Sequence, residues 1–319
     1  MRGTFVAIAL AWAGLAVAQA ADAPALPRWA FTQNPPPAAA APPDLAALHS
    51  VPNSTVQMTL KQVRDVHNIP DWHPDNHPPM PGAVKHGRDE LFGCGYCHLP
   101  NGQGRPENAG VAGLPAAYIL QQVADFRAGA RRSSDDKAVP AQLMTKMAVE
   151  ASEAEVREAA EYFASLSFQP WIRVVETDTV PKSRVQGFMF VAAEGGGTEP
   201  IGTRVIEMPE NLEATELRDS GSGFVAYVPR GAVKRGAALA QGAGGKSVAC
   251  ATCHGAGLKG LGPVPPLAGR SPSYLARQLF DLQQGARAGL WSPLMGPVVA
   301  KLSEADMVDL VAYLASLKP

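Results

Sequence analysis

The chain has 319 residues, a length that allows about two globular domains. Its 28 Lys and Arg residues nearly balance its 29 Asp and Glu residues, for a net charge of −1. This balance gives no reason to expect a nucleic-acid-binding protein.

The first twenty residues have the pattern of a secretory signal peptide. Arg2 is followed by an apolar run and by the small-x-small cleavage site Ala18-Gln19-Ala20. The run is too short for a membrane span, and no later stretch reaches the length that a bilayer requires. No cysteine follows the cleavage site, so we expect no lipid anchor. The prediction is a soluble mature protein in a bacterial periplasm, beginning near Ala21.

Residues 21–80 are predicted to form an extended tether and strap. Residues 23–43 are crowded with Ala and Pro and are too poor in large apolar side chains to bury a core. The stretch VHNIPDWHPDNHPPMPG then supplies His67, His73 and His77. Clustered histidines suggest a metal site, whereas the prolines favour a stiff strap that lies on the first domain. We prefer the strap and include none of these histidines among the predicted ligands.

The stretch LFGCGYCHLPNGQG at residues 91–104 holds Cys94, Cys97 and His98. A Cys-x-x-Cys pair serves three chemistries: a redox disulfide, half of a zinc site, or covalent attachment of a c-type haem. In the third case Cys94 and Cys97 bond to the haem vinyl groups and His98 supplies the proximal nitrogen to iron.

The second copy of this motif favours haem. Residues 250–254 read CATCH, so Cys250, Cys253 and His254 repeat the pattern and the four cysteines of the chain are all used. A zinc site that joins the two thiolate pairs leaves both histidines unexplained, and disulfides between vicinal cysteines close only tiny loops. We therefore predict two covalently bound haem c groups, which suits an exported protein.

One module occurs twice in the chain. Seven residues recur at an offset of 156: Cys94, His98, Tyr118, Gln122, Asp125, Gly129 and Arg131 return as Cys250, His254, Tyr274, Gln278, Asp281, Gly285 and Arg287. Four more recur at an offset of 151: Met144, Ser152, Tyr162 and Leu166 return as Met295, Ser303, Tyr313 and Leu317. The predicted modules span residues 81–167 and 230–319, and the first has a five-residue insertion near RRSSDDK.

Both modules are predicted to be helical. In SEADMVDLVAYLASL, Ser303 and Asp306 form a capping box before a helix with one apolar face, and the first module repeats this pattern. The segments LPAAYILQQVADFRAGAR and SPSYLARQLFDLQQGAR also have helical spacing and end at Gly129 and Gly285.

Between the modules, residues 168–229 change to β-type runs. WIRVVETD, GFMFVAAE, TRVIEM and GFVAYV are short strand-like segments, and EGGGTEP supplies a turn. They predict a small antiparallel sheet that either spaces the two modules or docks a partner. We favour the spacer, because nothing in it resembles a catalytic site.

These modules resemble the class I c-type cytochromes, and the pair is similar to the two-haem periplasmic cytochromes of the cytochrome c-four kind. The resemblance rests on both Cys-x-x-Cys-His motifs, on PPLAG, YLARQLFDLQQGAR, LMGP and AYLASL, and covers about residues 81–167 and 230–319. It implies a mainly α fold of two tandem cytochrome c domains, here with the β-type insert and the extended N-terminal segment. It also implies one haem per domain and electron carriage to or between membrane respiratory complexes.

The resemblance further implies methionine as the sixth iron ligand. Met144 and Met295 occupy matching positions, and Met295 in WSPLMGP is expected in a loop; Met147 lies close to Met144 and competes with it. In the family the carbonyl at Pro265 receives the proximal histidine's Nδ1 hydrogen bond. The first module has Ala109 there, which still offers a carbonyl on a less stiff loop.

Two features are left open. About sixty residues separate the modules, which casts doubt on the family's haem-to-haem packing. Tyr118, Tyr274, Arg131 and Arg287 either bind the haem propionates or make surface and helix contacts.

The predicted function is single-electron transfer by a periplasmic diheme cytochrome c that is not an enzyme. Its expected partners are a membrane oxidase, a quinol-oxidising complex or a periplasmic dehydrogenase. A diheme peroxidase is the chief alternative, but it needs one haem whose sixth position opens, and the repeated methionine argues against that asymmetry. A cytochrome subunit of a periplasmic dehydrogenase stays open as a third possibility.

Overall fold

The computed structural model describes residues 25–36 and 42–319. The predicted signal peptide at residues 1–20 and residues 37–41 of the predicted tether lie outside the described residues. Within these described ranges, no helix has the length and apolar character that a membrane crossing requires.

Residues 25–36 pack into the protein, so the expectation of an extended tether is wrong for this segment. Trp29 and Phe31 are buried, and the Phe31 ring lies 5.6 Å from that of Phe280 in edge-to-face contact. The Trp29 indole N–H donates to Glu304 at 2.7 Å. Composition predicted no core because the segment is poor in apolar residues, but two large aromatics suffice to dock it into a core that other elements build.

The strap joins the first module to the insert. Its Trp72 is fully buried and donates to the Leu217 carbonyl at 2.7 Å, while the Ile69 N–H donates to the Lys85 carbonyl at 3.0 Å. The strap therefore lies on the first module, as predicted, and is also held by the insert. Its regular elements are β1 Leu48–His49, β2 Met58–Thr59 and α1 Leu60–Val63.

The first module is helical, as predicted. Its last helix opens with the expected capping box, in which Ser152 Oγ accepts from the Glu155 N–H and the Glu155 carboxylate accepts from the Ser152 N–H. Gly129 lies just after the helix Ala116–Arg127. Its φ of +68° is a left-handed conformation that glycine adopts without strain and that ends the helix. The helices are α2 Gly82–Lys85, α3 Gly95–His98, α4 Ala116–Arg127, α5 Val139–Glu150 and α6 Glu153–Ser165.

The insert contains the predicted strands, but its central sheet is mixed. The strands are β3 Ile172–Thr177, β4 Thr179–Pro181, β5 Ser183–Gln186, β6 Met189–Ala192, β7 Thr198–Pro200, β8 Ile206–Pro209 and β9 Phe224–Pro229, with α7 Leu212–Glu216 between the last two. In the order β3-β9-β8, β3 and β9 pair in parallel with Ile172 opposite Phe224, and β8 and β9 pair antiparallel. The expectation of a purely antiparallel sheet is wrong, because the long connection from β3 to β9 permits a parallel crossover.

The second module shares its core with this sheet. Val205, Ala226 and Val228 of the insert are buried in one cluster with Leu310 and Val311. The module's helices are α8 Ala232–Ala240, α9 Ala251–His254, α10 Pro272–Gln283, α11 Ser292–Val299 and α12 Glu304–Ser316. The sheet is therefore packed on this module.

Helix α12 repeats the design of α6 and crosses α8 closely. Ser303 and Asp306 form the predicted capping box. At the crossing, a Cβ on Gly236 would lie 1.9 Å from the Asp309 carbonyl oxygen, so only glycine fits there.

We expect Phe31→Ala to lower the free energy of unfolding by about 3 to 5 kcal/mol, because it leaves a cavity beside Phe280. Leu48→Ala is the control, since Leu48 is 65% exposed and its truncation should cost no more than about 0.5 kcal/mol. Denaturant titration of both variants measures the difference. Equal, small losses would show that residues 25–36 are a tether after all.

An ion pair at the start of α6 should make the stability of the protein depend on pH. A hydrogen-bonded ion pair with Arg88 lowers the pKa of Glu155 to about 2. Because the folded pKa lies below the unfolded value of about 4.3, the pair stabilises the fold above that pH and the contribution is lost as the pH falls toward 2. Glu155→Gln keeps an acceptor for Ser152 but not the charge. Its deficit in unfolding free energy should be present at pH 7 and shrink steadily below pH 4.3; a deficit independent of pH would contradict this.

Candidate functional site

The first Cys-x-x-Cys-His motif lies at a cavity. Cys94 precedes the single turn of α3, and one helical turn brings Cys94 and Cys97 to the same side. Both cysteines and His98 line a cavity of about 410 Å³, whose wall is formed mainly by the first module and is completed by residues of the N-terminal segment, the insert and the second module. Cofactor sites have volumes of about 300 to 1,000 Å³, so the space and its lining fit a covalently held haem.

The ring of His98 is held by a single backbone contact. Its Nδ1 lies 2.8 Å from the Ala109 carbonyl oxygen, eleven residues further along the chain. Burial lowers the pKa of His98, so the imidazole is neutral, and the carbonyl can only accept. Nδ1 therefore carries the proton and Nε2 keeps a lone pair for a metal.

The second motif repeats this geometry. His254 Nδ1 lies 2.8 Å from the Pro265 carbonyl oxygen, again eleven residues along the chain, and burial lowers the pKa of His254 as well. The change from Pro265 to Ala109 between the modules leaves the hydrogen-bond length unaltered. In both imidazoles, therefore, one ring nitrogen is hydrogen-bonded to a backbone carbonyl and the other keeps a lone pair for a metal.

The two cysteine pairs lie in different cores. Cys94 packs against the core of the first module, and Cys250 packs against the core of the second. All four thiols are unpaired, and burial raises the pKa of Cys94 to about 12. In the described ranges no three His, Cys, Asp or Glu side chains converge on one metal position. One zinc site built from both pairs is not possible in this fold.

The candidate distal methionines lie on helices. Met144, in α5, lines the same cavity as Cys94, Cys97 and His98. Met147 also lines it, but its sulfur accepts a hydrogen bond from the Phe92 N–H at 3.2 Å.

Met295 lies in α11, half-buried against the core that Cys250 also contacts. The expectation that it lies in a loop is wrong. Pro293 suits the first turn of a helix, because its fixed φ is helical and no N–H is needed there. The structure thus brings Met144 to the first motif's cavity and Met295 to the second motif's core.

Six residues that recur in the repeat meet between the modules. They are Tyr118, Gln122 and Arg131 of the first module and Tyr274, Gln278 and Arg287 of the second. Each arginine donates to the tyrosine hydroxyl and to the glutamine amide oxygen of the opposite module, all at 2.8 Å. Backbone hydrogen bonds join the same loops, from Arg132 to Ala286 and from Ala288 to Ala130. The sequence left two roles open for these tyrosines and arginines. The structure shows that they form contacts between the modules.

Sequence analysis missed two further buried guanidinium groups. Arg270 donates to the carbonyls of Gly110 and Ala112 in the other module, and burial lowers its pKa to about 10. Arg277 donates to the Ala30 carbonyl and lines the first cavity. Among the described residues neither lies within 4 Å of a carboxylate, and Arg277, which lines the cavity, therefore suits the acidic groups of a haem there. Arg270 has no repeat counterpart, since Leu114 stands at the equivalent position, and the repeat therefore gave no signal for it.

The three histidines of the strap do not converge. His73 Nε2 lies 2.8 Å from Asp219, and His77 Nε2 lies 3.3 Å from Asp71. His67 Nε2 lies 3.1 Å from the Asp89 carbonyl. Each histidine contacts a different partner, so the three hold the strap at separate points.

Comparison with known proteins gives consistent relatives. A family model described as cytochrome c matches residues 233–318. The chain is 26% identical over 241 residues to cytochrome c4 of Azotobacter vinelandii, across 74% of this chain and 90% of that protein. It is 39% identical over 77 residues to cytochrome c-554(547) of Halothiobacillus neapolitanus, across 22% of this chain and 85% of that protein. A thiosulfate dehydrogenase electron acceptor of Thiomonas intermedia is 26% identical over 231 residues, across 71% of this chain and 79% of that protein.

We expect substitutions of the two methionines of α5 to have different effects on the absorption spectrum. Met144→Ala should remove half of the protein's weak red-edge sulfur-to-iron absorption and lower one reduction potential, because the thioether is lost from one iron. Met147→Ala, the matched control, should keep the full band and lose only packing stability. Loss of the band in Met147→Ala alone would move the ligand to Met147, and loss in neither variant would leave Met80 or a strap histidine.

Proposed function

The chain belongs to the cytochrome c family, and on this premise we propose that it is a periplasmic carrier that relays single electrons between redox proteins. It is a diheme electron-transfer cytochrome with two covalently attached haem c groups. Each haem supplies an iron that takes up or releases one electron. The protein's own contribution is to attach the group, direct two side chains at the iron and keep water away.

One observation carries this proposal: both motif histidines donate Nδ1–H to a carbonyl and keep Nε2 free, at the same spacing and distance. We propose these histidines as proximal ligands and the repeat-related methionines as distal ligands. The proposed attachment residues are Cys94, Cys97, Cys250 and Cys253; the proposed iron ligands are His98, Met144, His254 and Met295.

We propose domain boundaries at residues 81–167 and 230–319, with the insert at 168–229. Two separate buried clusters around the two motifs support this division. The packing of β3 and β9 on the second module makes the insert an extension of that domain's core.

A carrier is favoured over a peroxidase by the repeated methionine. Peroxide chemistry needs one iron with an open or weakly held sixth position. Met144 lies at the first cavity and Met295 at the second core, and the two modules have matched helices around them. Two methionine-bound irons suit electron transfer without ligand exchange.

A dehydrogenase partner is the second candidate role. It is favoured by the similarity to the thiosulfate dehydrogenase electron acceptor of Thiomonas intermedia. In that role the chain receives electrons from one enzyme and passes them on. The chemistry within this chain is the same in both roles.

We expect no peroxidase activity beyond that of free haem, because both irons have a sulfur ligand in the sixth position. The test is stopped-flow mixing of hydrogen peroxide with fully oxidised and half-reduced protein. The Met144→Ala variant is the positive control, since it opens one iron. Rapid turnover by the half-reduced wild type would overturn the carrier assignment.

A further inference from the structure

The insert places one positive charge at the first cavity without a negative partner. Arg218 lines this cavity together with Tyr96 and Cys97. Its guanidinium carbon lies 3.5 Å from the centre of the Tyr96 ring, and the group donates to the Tyr96 carbonyl at 2.6 Å. Among the described residues, no carboxylate lies within 4 Å of Arg218. Taking a guanidinium out of water without an anion to face it costs free energy, so packing alone does not account for an arginine here.

A neighbouring ion pair does not neutralise Arg218. Arg105 Nε lies 2.9 Å from a carboxylate oxygen of Glu107, and both side chains are buried at the same cavity. The charge of Glu107 is therefore already balanced by Arg105. Burial, and then the like charge of Arg105, lower the pKa of Arg218, but a guanidinium keeps its proton at neutral pH. Arg218 thus adds one net positive charge beside the first attachment motif.

The backbone at Arg218 has a conformation that favours glycine. Arg218 follows helix α7 with φ of +61°, the left-handed geometry in which glycine usually ends a helix. Contacts from the strap hold the residues on both sides. The Trp72 indole N–H donates to the Leu217 carbonyl at 2.7 Å, and His73 Nε2 lies 2.8 Å from Asp219 Oδ1. The structure therefore fixes an arginine where the backbone alone favours glycine.

The second attachment motif lacks an equivalent of Arg218, because the insert has no repeat in the chain. Thr252 stands at the position that corresponds to Tyr96 and is exposed to solvent. The two modules thus have matching motifs and matching candidate ligands, but the charge beside the motif differs.

The field of Arg218 acts at the attachment site itself. Burial raises the pKa of the Cys97 thiol, and the positive charge of Arg218 opposes this rise. A haem bonded to Cys97 lies in the same field. Reduction gives the haem one more negative charge, and a fixed positive charge nearby stabilises the reduced form more than the oxidised form.

We infer that Arg218 is a fixed charge that raises the reduction potential of the first haem, so that the insert shifts the sharing of one electron between the two haems toward the first. This inference rests on the proposed function. In the step concerned, the first iron gains one electron from the second. No bond forms or breaks, and Arg218 keeps its proton throughout.

Arg218→Met tests this inference, because methionine fills much of the space above Tyr96 without a charge. Spectroelectrochemical titration follows the two one-electron steps. We expect one potential to fall, so that in half-reduced protein the ratio of reduced first haem to reduced second haem decreases about tenfold. The sulfur-to-iron band should keep its full intensity. The step that moves should be the one that Met144→Ala also lowers.

Two control variants separate charge from packing. Arg218→Lys keeps the positive charge and should keep both potentials close to those of the wild type. Arg173→Met removes an equal charge from the insert at a side chain that is 62% exposed, where solvent screens it, and should move neither potential. If Arg218→Met does not incorporate haem, Arg218→Gly, which suits a φ of +61°, takes its place in the comparison with Arg218→Lys.

Wild-type potentials in the uncharged variant would overturn the inference. A fall of equal size in Arg218→Lys would also overturn it, because it would assign the effect to lost cover of the motif and not to charge. A wild-type protein without two reversible one-electron steps would instead contradict the proposed function.

Discussion

In the proposed ligand set each motif histidine presents one ring nitrogen to iron while the other is held by the protein, and the rest of the proposed site depends on this arrangement. A backbone carbonyl eleven residues along the chain satisfies it in both modules at 2.8 Å. Burial keeps each imidazole neutral, so the carbonyl fixes the tautomer as well as the ring orientation. The short Cys-x-x-Cys-His turn and the loop to the carbonyl are then placed relative to each other, and the helices enclose the space that remains.

The two modules form one unit because repeated polar residues of one module hydrogen-bond to their counterparts in the other module. Arg131 and Arg287 each donate to the glutamine of their own module and also to the tyrosine and glutamine of the opposite module. Arg270 adds two more hydrogen bonds to the other module's backbone. These bonds hold the modules together despite the long insert, and the insert is used instead to cover the first motif.

Local patterns in the sequence predicted local structure well. Ser152 and Ser303 begin their helices with capping boxes, and Gly129 marks a helix end, because each signal acts on backbone within a few residues. The matching local geometry of the two motif histidines was also predictable, since both their residue types and their spacing repeat. The same patterns say nothing of distant partners.

Features that depend on distant parts of the chain were missed. Trp29 and Phe31 bury themselves against helices more than 240 residues away. The parallel pairing of β3 with β9 depends on how the long connection folds, and the cover of Tyr96 by Arg218 joins residues 122 apart. Composition and periodicity do not encode which surfaces meet. We propose that histidine and methionine bind both irons of the protein. Spectroelectrochemical titration of the purified protein tests it most directly, by recording the sulfur-to-iron band and the visible spectrum against potential. We expect two reversible one-electron steps, each removing half of the band with no high-spin component. A band of half intensity, or a high-spin signal at one step, would contradict the account.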